Sequence, residues 1–321
     1  MRSRLVMILA LALAVTAIAV TGSRLLARYS PPPPPAHAAL TPKLASYLGV
    51  FEPGAPPGYS SIAAFAQAAG RQPNLLGYYS GWAEPFNTSF AEMIRKHGVT
   101  PFVQIDPTDA SIGAVADGTY DYYLTSYAQS VRNFRTAVVI GFGHEMNAPW
   151  YSWGYGHVSP ATFVAAWRHI VTLFREQGAD NVTWLWTIQA DETGTGPVGS
   201  WWPGTEYVSW IGIDGYYYYP SDTFASVFGK TITQVRTFTS QPVLLSETAV
   251  GPGGAQLAKI RDLFNGMAAY KTLGLVWFDK DQHGTGTGIT HQDWRLEDSL
   301  QAEIAFQRGV RYVLTPSPPG G

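Results

Sequence analysis

The sequence predicts an α/β fold, a single (β/α)8 TIM barrel, and three observations point to it. Eight short apolar, β-rich runs are spaced through residues 42–313. Stretches with helical periodicity separate several of them, and the segment is close to the roughly 250 residues of a typical barrel. In chain order the strand candidates are Ser46–Phe51, Leu75–Tyr79, Pro101–Ile105, Val138–Phe142, Val182–Thr187, Trp210–Ile213, Val243–Ser246 and Leu275–Phe278. The intervening helices are clearest at Ser89–His97, Pro160–Gln177, Thr231–Thr239 and Gln256–Leu273. Pro160 stands at the first helical position behind an N-cap Ser159, and Gly178 and Gly274 are expected to terminate helices. Such alternation argues for parallel strands joined through helical crossovers. A doubly wound open sheet is the competing fold; no G-x-G-x-x-G follows the first strand, so a dinucleotide site is unsupported.

The flanks and the composition set further bounds. Arg2 and Arg4 precede an unbroken apolar stretch from Leu5 to Val20, the layout of an export signal. Residues 1–26 are therefore read as a cleaved signal peptide or a retained membrane anchor, and the sequence leaves both open. Ala36-His37-Ala38 resembles a processing site, but it lies beyond the prolines at 31–35, far from the apolar stretch. Residues 27–41 form a Pro-rich linker expected to be extended and semi-rigid, and residues 314–321 a flexible tail. The expected location is extracellular, secreted or held on the outer face of the cell membrane, and the expected state is a monomer. Net charge is -2 and the globular part has no Lys/Arg block, so the phosphate-neutralising surface that nucleic acids require is not evident. There is no cysteine, which excludes disulfides, thiolate chemistry and Cys-ligated zinc. Charged residues make up only 14% of the chain and Trp, Tyr and Phe another 14%, a balance that suits flat aromatic platforms.

Two glutamates end apolar runs in aromatic surroundings: Glu145 after the fourth strand candidate and Glu247 at the end of the seventh. Parallel barrels keep their chemistry at the C-terminal ends of the strands, so the two can face one pocket. A pair of carboxyls, one protonated and one charged, is what cleavage of a glycosidic bond needs. Close spacing would give a covalent intermediate and retention; wider spacing, with room for a water, would give inversion. A polysaccharide substrate is expected and no cofactor. Trp82, Trp150, Trp153, Trp186 and Trp277 offer apolar faces to sugar rings, with ordinary core packing as the competing reading of each, while Trp184 is expected to point into the helix layer.

These residues resemble glycoside hydrolase family 26, a retaining group of the (β/α)8 clan with mannan-cleaving members. The likeness rests on His144-Glu145-Met146-Asn147 followed by Trp150 and Trp153, on Trp201-Trp202-Pro203-Gly204 leading into Trp210-Ile211-Gly212-Ile213-Asp214-Gly215-Tyr216, on Ser246-Glu247-Thr248, and on Trp277. The resemblance implies that Glu145 is the general acid/base and Glu247 the nucleophile. It implies a positioning role for His144, a hydrogen bond from Tyr216 to the nucleophile, and Trp277 as the floor under the reacting sugar. Ala148-Pro149 departs from the family pattern, where a glycine commonly follows the asparagine. The expected activity is endo-cleavage of a β-linked polysaccharide, with β-1,4-mannan first on resemblance. A β-glucanase or β-xylanase on the same scaffold is the alternative within enzymes, and a non-catalytic, surface-tethered carbohydrate-binding protein the alternative outside them.

Other motifs read more plainly. His144-Glu145-Met146-Asn147-Ala148 begins like a zinc-protease helix but lacks the second histidine, and no metal is expected. Asp279-Lys280-Asp281-Gln282-His283-Gly284 partly resembles a calcium loop, yet its twelfth position is Thr290, so a substrate loop after the eighth strand is the better reading. Ser246 lacks the glycines of a nucleophile elbow. Gln104, Asp106, Asn147 and Asp214 lie near strand ends, where they would either hydrogen-bond sugar hydroxyls or support loops. Asp191 and Glu192 belong to a solvated loop.

Overall fold

A computed structural model describes residues 38–190, 194–283 and 291–314. They lie in the second of the two units into which the chain divides, Met1–Pro35 and Ala36–Gly321. The signal or anchor segment, most of the linker, Asp191, Glu192, residues 284–290 and all but the first residue of the tail fall outside the described residues. No helix among those described is long and apolar enough to cross a membrane.

Eight parallel strands close into a barrel in sequential order. They are β1 (Tyr47–Phe51), β2 (Leu75–Gly81), β3 (Thr100–Asp106), β4 (Val138–Phe142), β5 (Val182–Gln189), β6 (Trp210–Asp214), β7 (Val243–Thr248) and β8 (Gly274–Phe278), with β8 pairing back onto β1. The helices are α1 (Ser60–Ala69), α2 (Thr88–Arg95), α3 (Ile112–Ala116), α4 (Asp121–Phe134), α5 (Pro160–Glu176), α6 (Lys230–Val235), α7 (Gln256–Tyr270) and α8 (Leu300–Val313). A small antiparallel hairpin, β9 (Asp281–His283) and β10 (His291–Asp293), follows β8. The predicted fold is the observed one, and all eight strand candidates are strands.

Strand periodicity sorts the core into two compartments. Side chains two apart share a face, so Leu75, Phe102, Val139, Leu185, Trp210, Leu244 and Val276 meet inside the barrel. The residues between them face the helices and join a much larger cluster. Full burial of each such Leu, Val or Phe contributes about 1.5–3 kcal/mol. Ser159 caps α5 by accepting from the Thr162 N–H at 3.1 Å, with Pro160 in the first turn as expected. Gly178, at φ 72°, follows the end of α5 in the left-handed conformation that closes a helix.

Gly274 does something else. α7 ends earlier, with Lys271 left-handed at φ 56°, and Gly274 is the first residue of β8. At φ 156°, a Cβ there would overlap the Tyr47 carbonyl. Glycine is needed for the close approach of β1 and β8, not to end a helix. The helix expected over Thr231–Thr239 starts earlier, as a π-turn over Ala225–Gly229 that runs on into α6.

A candidate active site at the C-terminal face

At the upper end of the barrel the inward positions turn polar. Tyr79 lies near the end of β2, Asp106, Gln189 and Asp214 end β3, β5 and β6, and His144 and Glu145 lie early in the loop after β4. Glu145 sits at φ 54°, a conformation unusual for a residue with a Cβ, and its N–H donates to the Thr187 carbonyl of β5 at 3.0 Å. Such backbone strain collects at functional sites. On β7 the pairing with β6 shifts register between Gly212 and Asp214. That irregularity re-aims side chains, so consecutive residues Ser246 and Glu247 both reach the site: Ser246 Oγ lies 2.5 Å from Asp214 Oδ1, and Glu247 meets the tyrosines described next.

The two expected catalytic residues are brought together. Carboxyl oxygens of Glu145, Asp214 and Glu247 all lie within 4.8 Å of one another, and all three residues are buried. Tyr216 donates its hydroxyl to Glu247 Oε2 at 2.6 Å, and Tyr79 donates to Glu247 Oε1. Two hydroxyl donors therefore hold the Glu247 carboxylate from opposite sides. Burial and the neighbouring Glu247 charge push both phenols well above their usual range, so both stay protonated as donors. The Trp150 indole donates to Glu145 Oε2 at 2.7 Å. Three close carboxyls could also hold a cation, but the donors already directed at their oxygens suit acids and carboxylates.

His144, for which the resemblance implied a positioning role, is held by two polar partners. Its Nδ1 lies 2.8 Å from Asp106 Oδ1 and its Nε2 3.1 Å from the Tyr151 hydroxyl. Burial favours the neutral imidazole, but the Asp106 carboxylate, with help from Glu145 and Glu247, outweighs it and lifts the group to about 9. His144 is therefore a cation at neutral pH, fixed by Asp106 beneath the acidic pair.

The tryptophans divide. Trp150 is 49% exposed beside Glu145, and Trp82 is half-buried at the end of β2 against Tyr120, Tyr123 and Phe142. Both remain within reach of a ligand. Trp153 is buried, stacked on Tyr151 at 4.4 Å, and its indole donates to the His144 carbonyl at 2.9 Å. It braces the loop and offers no face to a sugar. Trp186 is fully buried on the helix side of β5, against Trp202 and Phe238. It lies two residues from Trp184 and so shares its outward face; placing the two on opposite faces was the error. Trp277 is 1% exposed and also faces outward, edge-on to Phe306 of α8, with its indole donating to the Trp294 carbonyl. The floor assigned to Trp277 is thus not there. The inward aromatic at that end of β8 is Phe278, stacked on Phe51 at 4.6 Å and edge-on to Tyr216.

The smaller polar candidates also sort by partner. Asn147 is fully buried and clamps the β4 loop to β5: its amide donates to the Gln189 carbonyl and its Oδ1 accepts the Gln189 N–H, each at 2.9 Å. It cannot reach a sugar. Gln104 lies inside the barrel, its amide on Thr187 Oγ1 at 2.8 Å. Asp279 turns inward to accept the Leu296 N–H at 2.7 Å, and the Arg295 guanidinium lies 2.8 Å from Asp293 and 3.9 Å from Asp281. That segment is held as a loop by its own cation. Sequence reading missed Tyr79 and Tyr151. Tyr79 ends a predicted strand, as Glu247 very nearly does, and could have been found on that criterion; Tyr151 sits within an aromatic loop and gave no separate signal.

The chain is similar to several known proteins. Endoglucanase H of Acetivibrio thermocellus is 27% identical over 275 residues, 80% of this chain. A β-1,3-xylanase, TXYA, of a Vibrio species is 27% identical over 174 residues, 54% of this chain. The chain spans only 29% and 36% of the length of these two relatives. Among solved structures, the catalytic domain of an endo-β-1,4-mannanase from Bacillus sp. JAMB-750 superposes with a TM-score of 0.62 at 13% identity, covering 83% of this chain and 85% of that one. At that identity the likeness speaks for the fold alone. The sequence model of glycosyl hydrolase family 26 matches residues 112–251, from the start of α3 to just beyond β7. That stretch contains Glu145, Asp214, Tyr216 and Glu247, and over it the chain is similar to glycosyl hydrolase family 26.

Proposed function

We propose that the chain is a retaining, endo-acting β-glycan hydrolase that works by double displacement, with Glu247 as nucleophile and Glu145 as general acid/base. The observation that carries this is the approach of the Glu145 and Glu247 carboxyl oxygens to within 4.8 Å. Retaining glycosidases hold their two carboxyls about 5–5.5 Å apart, whereas inverting enzymes leave about 6.5–9.5 Å for a water. Glu247, held by Tyr79 and Tyr216, attacks the anomeric carbon while Glu145 gives its proton to the leaving oxygen. Esterification removes the charge on Glu247, and Glu145, now ionised, takes the proton of the incoming water.

A β-glucan backbone leads for the substrate, because the relative matched over most of this chain is named an endoglucanase. β-Xylan follows from the second relative's name, and β-1,4-mannan from the motif resemblance. Export belongs to the same reading: the enzyme acts outside the cell as a monomer, secreted or anchored through its N-terminal segment, because a polymeric glycan must be met there.

A panel of β-glucans, xylans and mannans with product sizing tests the proposal. Oligomer ladders from one backbone are expected. Glycan binding with no reducing ends released from any member would favour a carbohydrate-binding protein instead. On an activated aryl glycoside, Glu145→Ala should be rescued by azide. Proton NMR of the first-formed product should show the retained anomer, and an inverted one would remove the nucleophile role of Glu247.

A further inference from the structure

We propose that Asp214 works as a neutral carboxylic acid, its proton on Oδ2, and that this positioning residue keeps the negative charge beneath the scissile bond confined to one glutamate. The proposal rests on Glu145 and Glu247 being the catalytic pair.

Geometry leaves Asp214 little room to be charged. It is fully buried, with a carboxyl oxygen within 4.8 Å of carboxyl oxygens of both glutamates. The groups facing it are Glu247 and Ser246 of β7, Glu145 and Tyr151 of the β4 loop, Tyr79 of β2 and Tyr216 of β6. None of these is a cation. His144, elsewhere in the site, has both ring nitrogens engaged, by Asp106 and Tyr151. Ser246 donates to Oδ1 at 2.5 Å, and the Glu247 N–H also hydrogen-bonds the carboxyl. Oδ2 has no hydrogen-bond partner among the described residues. A buried charged oxygen beside two other acids and without a donor is costly, and protonation there removes the charge that burial and its acidic neighbours penalise. The direction of its acidity agrees: burial and the Glu247 and Glu145 charges hold it well above the carboxylate range.

The consequence is for the catalytic cycle. Glu145 must hold its proton in the first step and release it in the second. A charged Asp214 would favour the proton on Glu145 in both, slowing release once Glu247 is esterified. With Asp214 neutral, the proton on Glu145 responds to Glu247 alone.

Two substitutions and one spectrum test this. Asp214→Ala, which strands the Ser246 hydroxyl, is expected to lose about a hundredfold in kcat/KM, and Asp214→Asn, a neutral isostere, to recover about tenfold of that. The alkaline limb of the Asp214→Asn pH profile should stay within about half a unit of the wild type, whereas removal of a real negative charge would move it to lower pH by about one unit or more. A limb that moves by that much overturns the proposal. Infrared spectroscopy reads protonation with or without glycan cleavage: the wild-type-minus-Asp214→Asn difference should show a protonated-carboxyl stretch at neutral pH. A carboxylate band in its place would also overturn the proposal while leaving the hydrolase reading intact. Should Asp214→Asn not fold, Ser246→Ala removes the donor to Oδ1 and should move that same band to higher frequency; no response there counts against the proposal.

Discussion

The hydrogen bonds that hold Glu247 set what each residue around it is worth. A hydrogen bond to a charged group contributes about 1.5–3 kcal/mol, and about 1.4 kcal/mol is tenfold in rate. Tyr216→Phe and Tyr79→Phe, each deleting one hydroxyl from one carboxylate oxygen, should therefore lower kcat by about tenfold to a hundredfold apiece. Because the two donors share one acceptor group, the double variant should depart from the product of the singles, which steady-state kinetics on an aryl glycoside would show. If neither single variant lowers kcat, the proposed role of Glu247 does not depend on these phenols. Trp150 and Trp153, three apart in one loop, differ in what they touch: Trp150 is bonded to Glu145 and half-exposed, Trp153 to a buried carbonyl. The glutamates were legible because charged residues at the ends of apolar strands have few structural reasons to be there, whereas His144 and Tyr216 were picked out only by the family resemblance. Trp186, Trp277 and Asn147 were misread for one reason. Residue type alone does not report which side of a strand, or which neighbour's backbone, a side chain meets.

At the level of the elements, the strands were legible and the helices only partly. A barrel strand buries both faces and reads as a short apolar run, which all eight do. Helices α1 and α4 begin at Tyr59 and Tyr120, neither of which makes a side-chain cap bond. With no start signal in the sequence, they were left unplaced, whereas Ser159-Pro160 marked α5. Gly274 shows how the same residue type serves two purposes: an expected helix stop turned out to be the point where β8 passes under the Tyr47 carbonyl. Gly274→Ala should destabilise the barrel by about 3 kcal/mol or more, since it adds an overlap with backbone that cannot rotate away and a strained φ. A urea unfolding midpoint within error of wild type would show that the β1–β8 seam can open. On the helix side of β5, Trp186→Phe should cost about 1–3 kcal/mol of stability through the space it leaves, with KM unchanged. A raised KM with unchanged stability would return Trp186 to the cleft.

For the whole molecule, the seam that closes the barrel holds two buried acids. Glu52 follows β1, Asp279 follows β8, and the Asp279 N–H donates to the Phe51 carbonyl at 3.0 Å. Both carboxyls are buried. Burial raises Glu52 to about 7, the nearby Glu297 charge adding to it while hydrogen bonds from Asp279 and Ser61 oppose it. Burial, with hydrogen bonds to Glu52 and Glu297, raises Asp279 to about 10. Both acids at the β1–β8 seam therefore favour their protonated, neutral forms. The consequence reaches the site: Asp279 fixes Leu296, next to the strand of chain carrying Trp294, whose ring packs on Tyr216 at 5.1 Å. The sign of the linkage follows from proton counts. In the unfolded chain these acids ionise near their ordinary values of 4.5 and 3.8, while the folded protein keeps their protons to higher pH. The folded state thus binds more protons, and stability falls as pH rises, through about 7 for Glu52 and on toward about 10 for Asp279. His144 acts in the same direction, its folded value near 9 lying above that of a free imidazole. The exposed pairs of Arg295 with Asp293 and Asp298 oppose this weakly, exposed ion pairs contributing about 0–1 kcal/mol. Thermal unfolding should accordingly show Tm about 5–10 °C lower at pH 9 than at pH 5. Glu52→Gln and Asp279→Asn should each flatten that slope by removing one of the two buried acids that titrate. A Tm that rises over the same interval, or a slope unchanged in both variants, would mean that these two acids do not gain protons on folding.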